Sequence, residues 1–162
     1  MTLYWVFISS TAYISIAYAQ QDQNLIDGGV GVFNSGKNSL SETKMLTLGV
    51  QEDLYGAFKD RAIVGGWLDS AGDGKSSSGL IAGQLGFEVN RDGLIGGVFS
   101  GPCVISNTDE LLGGHLQFMD DLHLGIQDRD NNYIGVMYRH ISSASLSTPN
   151  IGRDIIGIEL RF

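Results

Sequence analysis

The sequence predicts an all-β fold, an eight-stranded antiparallel up-and-down transmembrane β-barrel. Three observations predict it. Eight segments alternate in polarity between Gly-rich turns. An uncharged, apolar, export-type segment precedes them. The chain ends inside the last alternating segment on Phe162, and a terminal Phe is a familiar mark of outer-membrane barrels.

Composition bounds the answer first. The chain has 162 residues, which suits one domain. Charged residues make up 17%, against about 25% in ordinary soluble domains. The net charge of −8 argues against a nucleic-acid partner, because phosphate contacts need a basic face. Cys103 is the only cysteine, so neither an intrachain disulfide nor a thiolate zinc cluster is available; it reads as a packed apolar residue.

Residues 1–19 read as a signal peptide. Positions 3–19 are uncharged and largely apolar, and Ala17, Tyr18 and Ala19 have the small-x-small form of a cleavage site. No Lys or Arg precedes the apolar run, so a retained anchor is the alternative; its length lies at the lower edge for a spanning helix. Residues 20–162 form the barrel domain. No apolar run there approaches 18 residues, which excludes spanning helices but not spanning strands.

The eight segments are 27–33, 43–52, 57–68, 78–89, 93–105, 112–127, 132–142 and 151–162. The two prolines, Pro102 and Pro149, fall near a strand end and in a loop. In the fourth segment Ile81, Leu85, Phe87 and Val89 oppose Gln84 and Glu88. In the sixth, Leu116, Phe118, Leu122, Leu124 and Ile126 oppose His115, Gln117, Met119, Asp121, His123 and Gln127. Asp120 interrupts its apolar side. In the seventh, Ile134, Val136 and Tyr138 oppose Tyr133, Gly135, Met137 and Arg139. In the eighth, Ile156, Ile158, Leu160 and Phe162 oppose Gly157, Glu159 and Arg161, with Ile155 an apolar member of the second set.

A period of two places these sets on opposite faces. A soluble sandwich alternates as well. A second face rich in Gly, Gln, His and single charges suits a narrow filled lumen better. Glu159, Arg161, Arg139, Asp121, Gln117, Glu88 and Gln84 are assigned to a lumen network, with His115 and His123 packed among them. Eight strands leave too little lumen for a transport pore.

Connections after the second, fourth and sixth segments are short; those after the first, third, fifth and seventh are longer. Barrels of this class keep short turns in the periplasm and long loops outside. The loop joining the last two segments is therefore external. The stretch DSAGDGKSSSG lacks the spacing of a phosphate loop, and Asp69 and Asp73 read as members of a loop rather than as calcium ligands.

Parity also has a chemical consequence. His140 and Ser142 share the parity of Ile134, Val136 and Tyr138, and Asp154 shares that of Ile156 and Ile158. All three therefore face lipid near the external end of adjacent strands. Polar groups facing hydrocarbon cost free energy unless paired. A serine hydroxyl needs a base, which His140 supplies near neutral pH. The second imidazole nitrogen needs an acceptor, which Asp154 supplies. An ester of a membrane lipid is the bond such a triad reaches from the outside wall. Asp154 read alone is a solvated loop carboxylate, and a lone His-x-Ser carries no weight without spacing, parity and placement.

The segment HISSASLSTPNIGRD resembles the signature of the outer-membrane lipid A 3-O-deacylases, His-x-Ser-Asn followed by Pro-Asn-x-Gly-x-Glu. His140, Ser142, Pro149, Asn150 and Gly152 fall in register, and SGPCVIS and LGGHLQFMDDLHLGI resemble the two preceding strands, so the resemblance covers about 100–162. It implies an esterase that removes the 3-linked acyl chain of lipid A within lipopolysaccharide, in the bacterial outer membrane, without metal or other cofactor. Ser142 is then the nucleophile, His140 the base and Asp154 the orienting acid; Asn150 and loop N–H groups hold the oxyanion, with Ser143 and Gly152 in support. Two positions depart from the family: Asp154 stands where it has Glu, and Ser143 where it has Asn. The alternative is a non-catalytic small outer-membrane or surface-assembly barrel with a degenerate site. The partners implied are lipopolysaccharide and membrane lipid, with a homodimer left open.

Overall fold

Each of the eight alternating segments contains a strand, with some ends shifted. The computed structural model describes residues 22–31, 43–69, 77–109 and 111–162. The predicted signal segment, the first external loop and Asp73 lie outside the described residues. The strands are β1 (Gln23–Gly31), β2 (Thr43–Tyr55), β3 (Phe58–Asp69), β4 (Ser78–Arg91), β5 (Leu94–Ile105), β6 (Leu116–Gln127), β7 (Tyr133–Ser142) and β8 (Arg153–Arg161). Each pairs antiparallel with its sequence neighbour, and β1 pairs with β8 to close the barrel.

Two boundaries moved for a reason of pairing. β1 starts four residues before the predicted 27, because Leu25 and Ile26 pair on one side with β2 and on the other with Arg161 and Leu160 of β8. Its polar lead-in shows no periodicity by itself. β6 starts at Leu116 rather than at 112, because Leu112 instead forms an isolated bridge to Asn150.

Leu46, Ile81, Leu122, Val136 and Ile156 are exposed on the outer wall of the isolated barrel. Closure without an edge satisfies the backbone, which is what a bilayer demands of spanning strands. The lumen is filled in two layers. Met45, Trp67, Leu80, Met119, Ile141 and Ile155 form a buried apolar layer. A charged layer adjoins it. Arg139 donates to Asp121 at 2.8 Å through both Nε and Nη2, and to Asp27 at 3.0 and 3.1 Å. Arg61 donates to both oxygens of Glu159 at 3.1 and 3.0 Å. Glu88 takes Arg161 at 2.7 Å and meets His123 Nε2 at 3.0 Å.

The residues assigned to the lumen are buried there, and Cys103 is buried as well. Asp27 and Arg61 join the network without having been expected, since their segments alternate weakly. His115 departs from expectation. It is exposed above the start of β6, with Nδ1 at 2.9 Å from the Ile105 carbonyl, because the chain there is loop and parity no longer sets its direction.

Turn chemistry fixes the two ends. The β4–β5 hairpin turns on Asp92 and Gly93, both with positive φ (55° and 86°), as a two-residue primed turn requires. At the other end the connections 106–115 and 143–152 lie together. Gly113 N–H donates to the Pro149 carbonyl at 2.8 Å, and Ile151 N–H to the Leu111 carbonyl at 3.1 Å. Asp109 accepts the Leu111 and Leu112 N–H groups and takes Arg153 Nη2, tying this loop to the start of β8.

Candidate active site on the outer wall

Strand register builds the site. Ser100 of β5 pairs with Asp120 of β6, Asp120 with His140 of β7, and His140 with Asp154 of β8. Four polar residues thus form one row on the outer wall, across four strands. The neighbouring outer-wall row toward the short-turn end is Val98, Leu122, Tyr138 and Ile156, which is apolar except for the phenol of Tyr138. Ser142 lies two residues beyond His140 on β7 and pairs with Phe118.

The row is internally paired, as groups in hydrocarbon must be. His140 Nδ1 is 2.8 Å from Asp154 Oδ1, and both side chains are about one-third exposed (34% and 29%). Tyr138 Oη donates to that same oxygen at 2.6 Å. Ser100 Oγ donates to Asp120 Oδ1 at 2.5 Å. With Nδ1 engaged by the carboxylate, Nε2 of His140 is the nitrogen free to serve as base. No hydrogen bond joins His140 to Ser142 in this structure; the two share a face at the spacing of alternate strand residues, about 6.6 Å between Cα atoms.

Gly152 sits against the imidazole. Its φ is +86°, and a Cβ placed there meets His140 Cε1 at 2.7 Å and Nε2 at 3.3 Å. Its N–H donates to the Leu111 carbonyl at 3.3 Å, so the neighbouring loop holds the backbone that walls the ring. Ser143 points the other way from Ser142, as a period of two requires, and is fully buried. Its Oγ donates to the Ser147 carbonyl at 3.2 Å, and its N–H donates to Asn150 Oδ1 at 2.7 Å. Ser143 and Asn150 thus shape the loop. Among the described residues, Asn150 Nδ2 has no partner.

The turn following the serine is strained. Ala144 and Ser145 have φ of 49° and 68°, while Leu146 N–H closes the turn on the Ser143 carbonyl at 2.9 Å. Left-handed backbone costs a residue with a side chain about 1–2 kcal/mol. The N–H groups of Ala144 and Ser145 make no hydrogen bond among the described residues. Below the polar row, toward the short-turn end, a groove of about 640 Å³ runs over Phe87, Gly96, Val98, Leu122, Tyr138 and Ile156. Its lining is apolar apart from the Tyr138 phenol and His123, and Gly96 leaves its floor open, since a Cβ there meets only Leu124 and a carbonyl at 3.5 Å or more.

The structure brings His140 and Asp154 into contact and places Ser142 and Gly152 beside them. Sequence reasoning missed Ser100 as a member of the row and Tyr138 as a partner of Asp154. Asp120 carried a visible signal, the break in an otherwise apolar face, but only register places it opposite His140.

Comparison with known proteins bears on this wall. The model of the family described as lipid A 3-O-deacylase (PagL) matches residues 48–162, which reaches back to β2, well upstream of the loop signature. The lipid A deacylase PagL of Bordetella bronchiseptica is 39% identical over 59 residues, covering 35% of this chain and 33% of that protein. The chain therefore spans about a third of the length of this relative. A crystal structure of the outer membrane enzyme PagL superposes with a TM-score of 0.58 at 18% identity, covering 85% of this chain and 98% of that one. A de novo designed transmembrane β-barrel superposes with a TM-score of 0.51 at 14% identity, covering 86% and 95%. At these identities the two structures speak to the fold.

Proposed function

We infer what this protein does from one premise: the chain belongs to the lipid A 3-O-deacylase (PagL) family. It is a barrel of the outer membrane and an ester hydrolase, and its substrate is lipid A in the outer leaflet. The observation that carries the reading is the His140–Asp154 contact of 2.8 Å on the lipid-facing wall, two residues from Ser142. A hydrolase of soluble esters has no use for a triad there.

Ser142 Oγ attacks the carbonyl carbon of the 3-linked acyl ester while His140 Nε2 takes its proton. Asp154 holds the imidazole in the tautomer with Nδ1 protonated and stabilises the imidazolium. Asn150 Nδ2 and the unpaired N–H groups of Ala144 and Ser145 are the donors available to the carbonyl oxygen as it becomes an oxyanion. His140 then gives the proton to the departing sugar oxygen, and water, activated by the same imidazole, releases the acyl chain from Ser142. The apolar groove beneath the row suits an acyl chain. The predicted signal peptide, residues 1–19, is the export route that such a location needs.

A second reading, a barrel without activity, rests on the absent Ser142–His140 hydrogen bond and on the shorter acid at 154. Mass spectrometry of lipid A incubated with the refolded barrel separates them. Loss of one 3-hydroxyacyl chain is expected, and unchanged lipid A at high enzyme concentration sinks the deacylase reading. Gly152 gives a sharper check. Gly152→Ala adds a methyl at an unfavourable φ and pushes the imidazole by a large fraction of an ångström. Misplacement of about 1 Å costs roughly 100-fold, so kcat/KM is expected to drop by about that factor in a barrel that still folds.

A further inference from the structure

The geometry points to Tyr138 as a positioning residue that holds the short acid Asp154 against His140, an assignment that rests on the deacylase reading above. Tyr138 and His140 lie two residues apart on the same face of β7, and they pair with Ile156 and Asp154 of β8. The phenol therefore reaches one pair along the wall and diagonally to the neighbouring strand, where cross-strand side chains lie within reach of an aromatic. There it donates to Asp154 Oδ1 at 2.6 Å, the oxygen that also faces His140 Nδ1 at 2.8 Å.

Tyrosines on a barrel wall ordinarily turn their hydroxyls to the headgroup region. Here the hydroxyl is turned to a carboxylate. Aspartate is one methylene shorter than the glutamate of the family pattern, so its carboxylate sits farther back on β8. Two donors converging on one oxygen fix a carboxylate that a single donor leaves free to rotate about χ2. The other groups facing the imidazole are Asp120 across β6 and Gly152 at its Cε1 edge. Asp120 is engaged by Ser100 and does not share the Asp154 oxygen.

Tyr138→Phe removes the donor and leaves the ring in the groove. The kcat for acyl release is expected to fall roughly tenfold, the lower end of what one charge-assisted hydrogen bond contributes, with KM unchanged. A longer acid relieves the need for the phenol, so in an Asp154→Glu background the same substitution is expected to change kcat by less than about twofold. Far-UV circular dichroism confirms the barrel in each variant. Wild-type kcat in Tyr138→Phe, or a rise in KM with kcat unchanged, overturns the assignment, and so does an equal loss in the Asp154→Glu background. A wild-type protein that releases no acyl chain, or a Ser142→Ala protein that releases it normally, strikes the deacylase reading instead.

Discussion

Ser142→Ala is expected to lower acyl release by roughly 10⁵- to 10⁶-fold, the scale seen when the nucleophile of a serine hydrolase is removed. On the proposed mechanism, the loss of Oγ leaves no atom to form the acyl intermediate and nothing for His140 and Asp154 to activate. Folding is expected to be unaffected. Ser142 lies on the outer wall and its hydroxyl makes no hydrogen bond among the described residues, so the change belongs with surface substitutions, within about 0.5 kcal/mol. The measurement is the free 3-hydroxy fatty acid released from lipopolysaccharide by equal amounts of folded wild-type and variant barrel. Release within a few-fold of wild type assigns the nucleophile elsewhere.

Arg139→Ala is expected to produce the largest loss of stability. The guanidinium is fully buried and makes four short hydrogen bonds to the carboxylates of Asp27 and Asp121, themselves with no side-chain exposure. Removing it leaves Asp27 in the lumen without its counterion and Asp121 with only Arg61, at 3.9 Å. Breaking a buried ion pair from one side costs about 3–5 kcal/mol. Urea unfolding of the barrel in detergent micelles or liposomes measures this. The same protein with Asp27→Asn and Asp121→Asn added is expected to regain part of the loss, since the uncompensated charges are gone. An unfolding free energy within about 1 kcal/mol of wild type for Arg139→Ala alone contradicts the electrostatic account. The polar row of the proposed site is on the other face of the same strand, so a variant that still folds is expected to release acyl chain as the wild type does.

The two experiments separate what the two faces of β7 do. Arg139 and His140 are neighbours in sequence, and the pleat sends one into the lumen and the other to the lipid. That division was legible in the sequence, because a period of two needs no tertiary information. The same holds for the strand count and for the placement of His140, Ser142 and Asp154 on one wall. Ser143 was less legible. Beside the serine it invites an oxyanion role, but its parity sends its side chain inward, where it braces the loop through Ser147.

By itself the sequence determined the barrel and which residues around its last external loop share a face, since alternation sets the face each residue occupies. Only the tertiary structure decided which residues stand beside one another around the wall. Register between strands distant in sequence made Ser100, Asp120, His140 and Asp154 a single row, and turned the Tyr138 phenol to the Asp154 carboxylate. The physical reason is that cross-strand contact depends on pairing offsets set by the closure of the whole sheet, and no local segment carries that information.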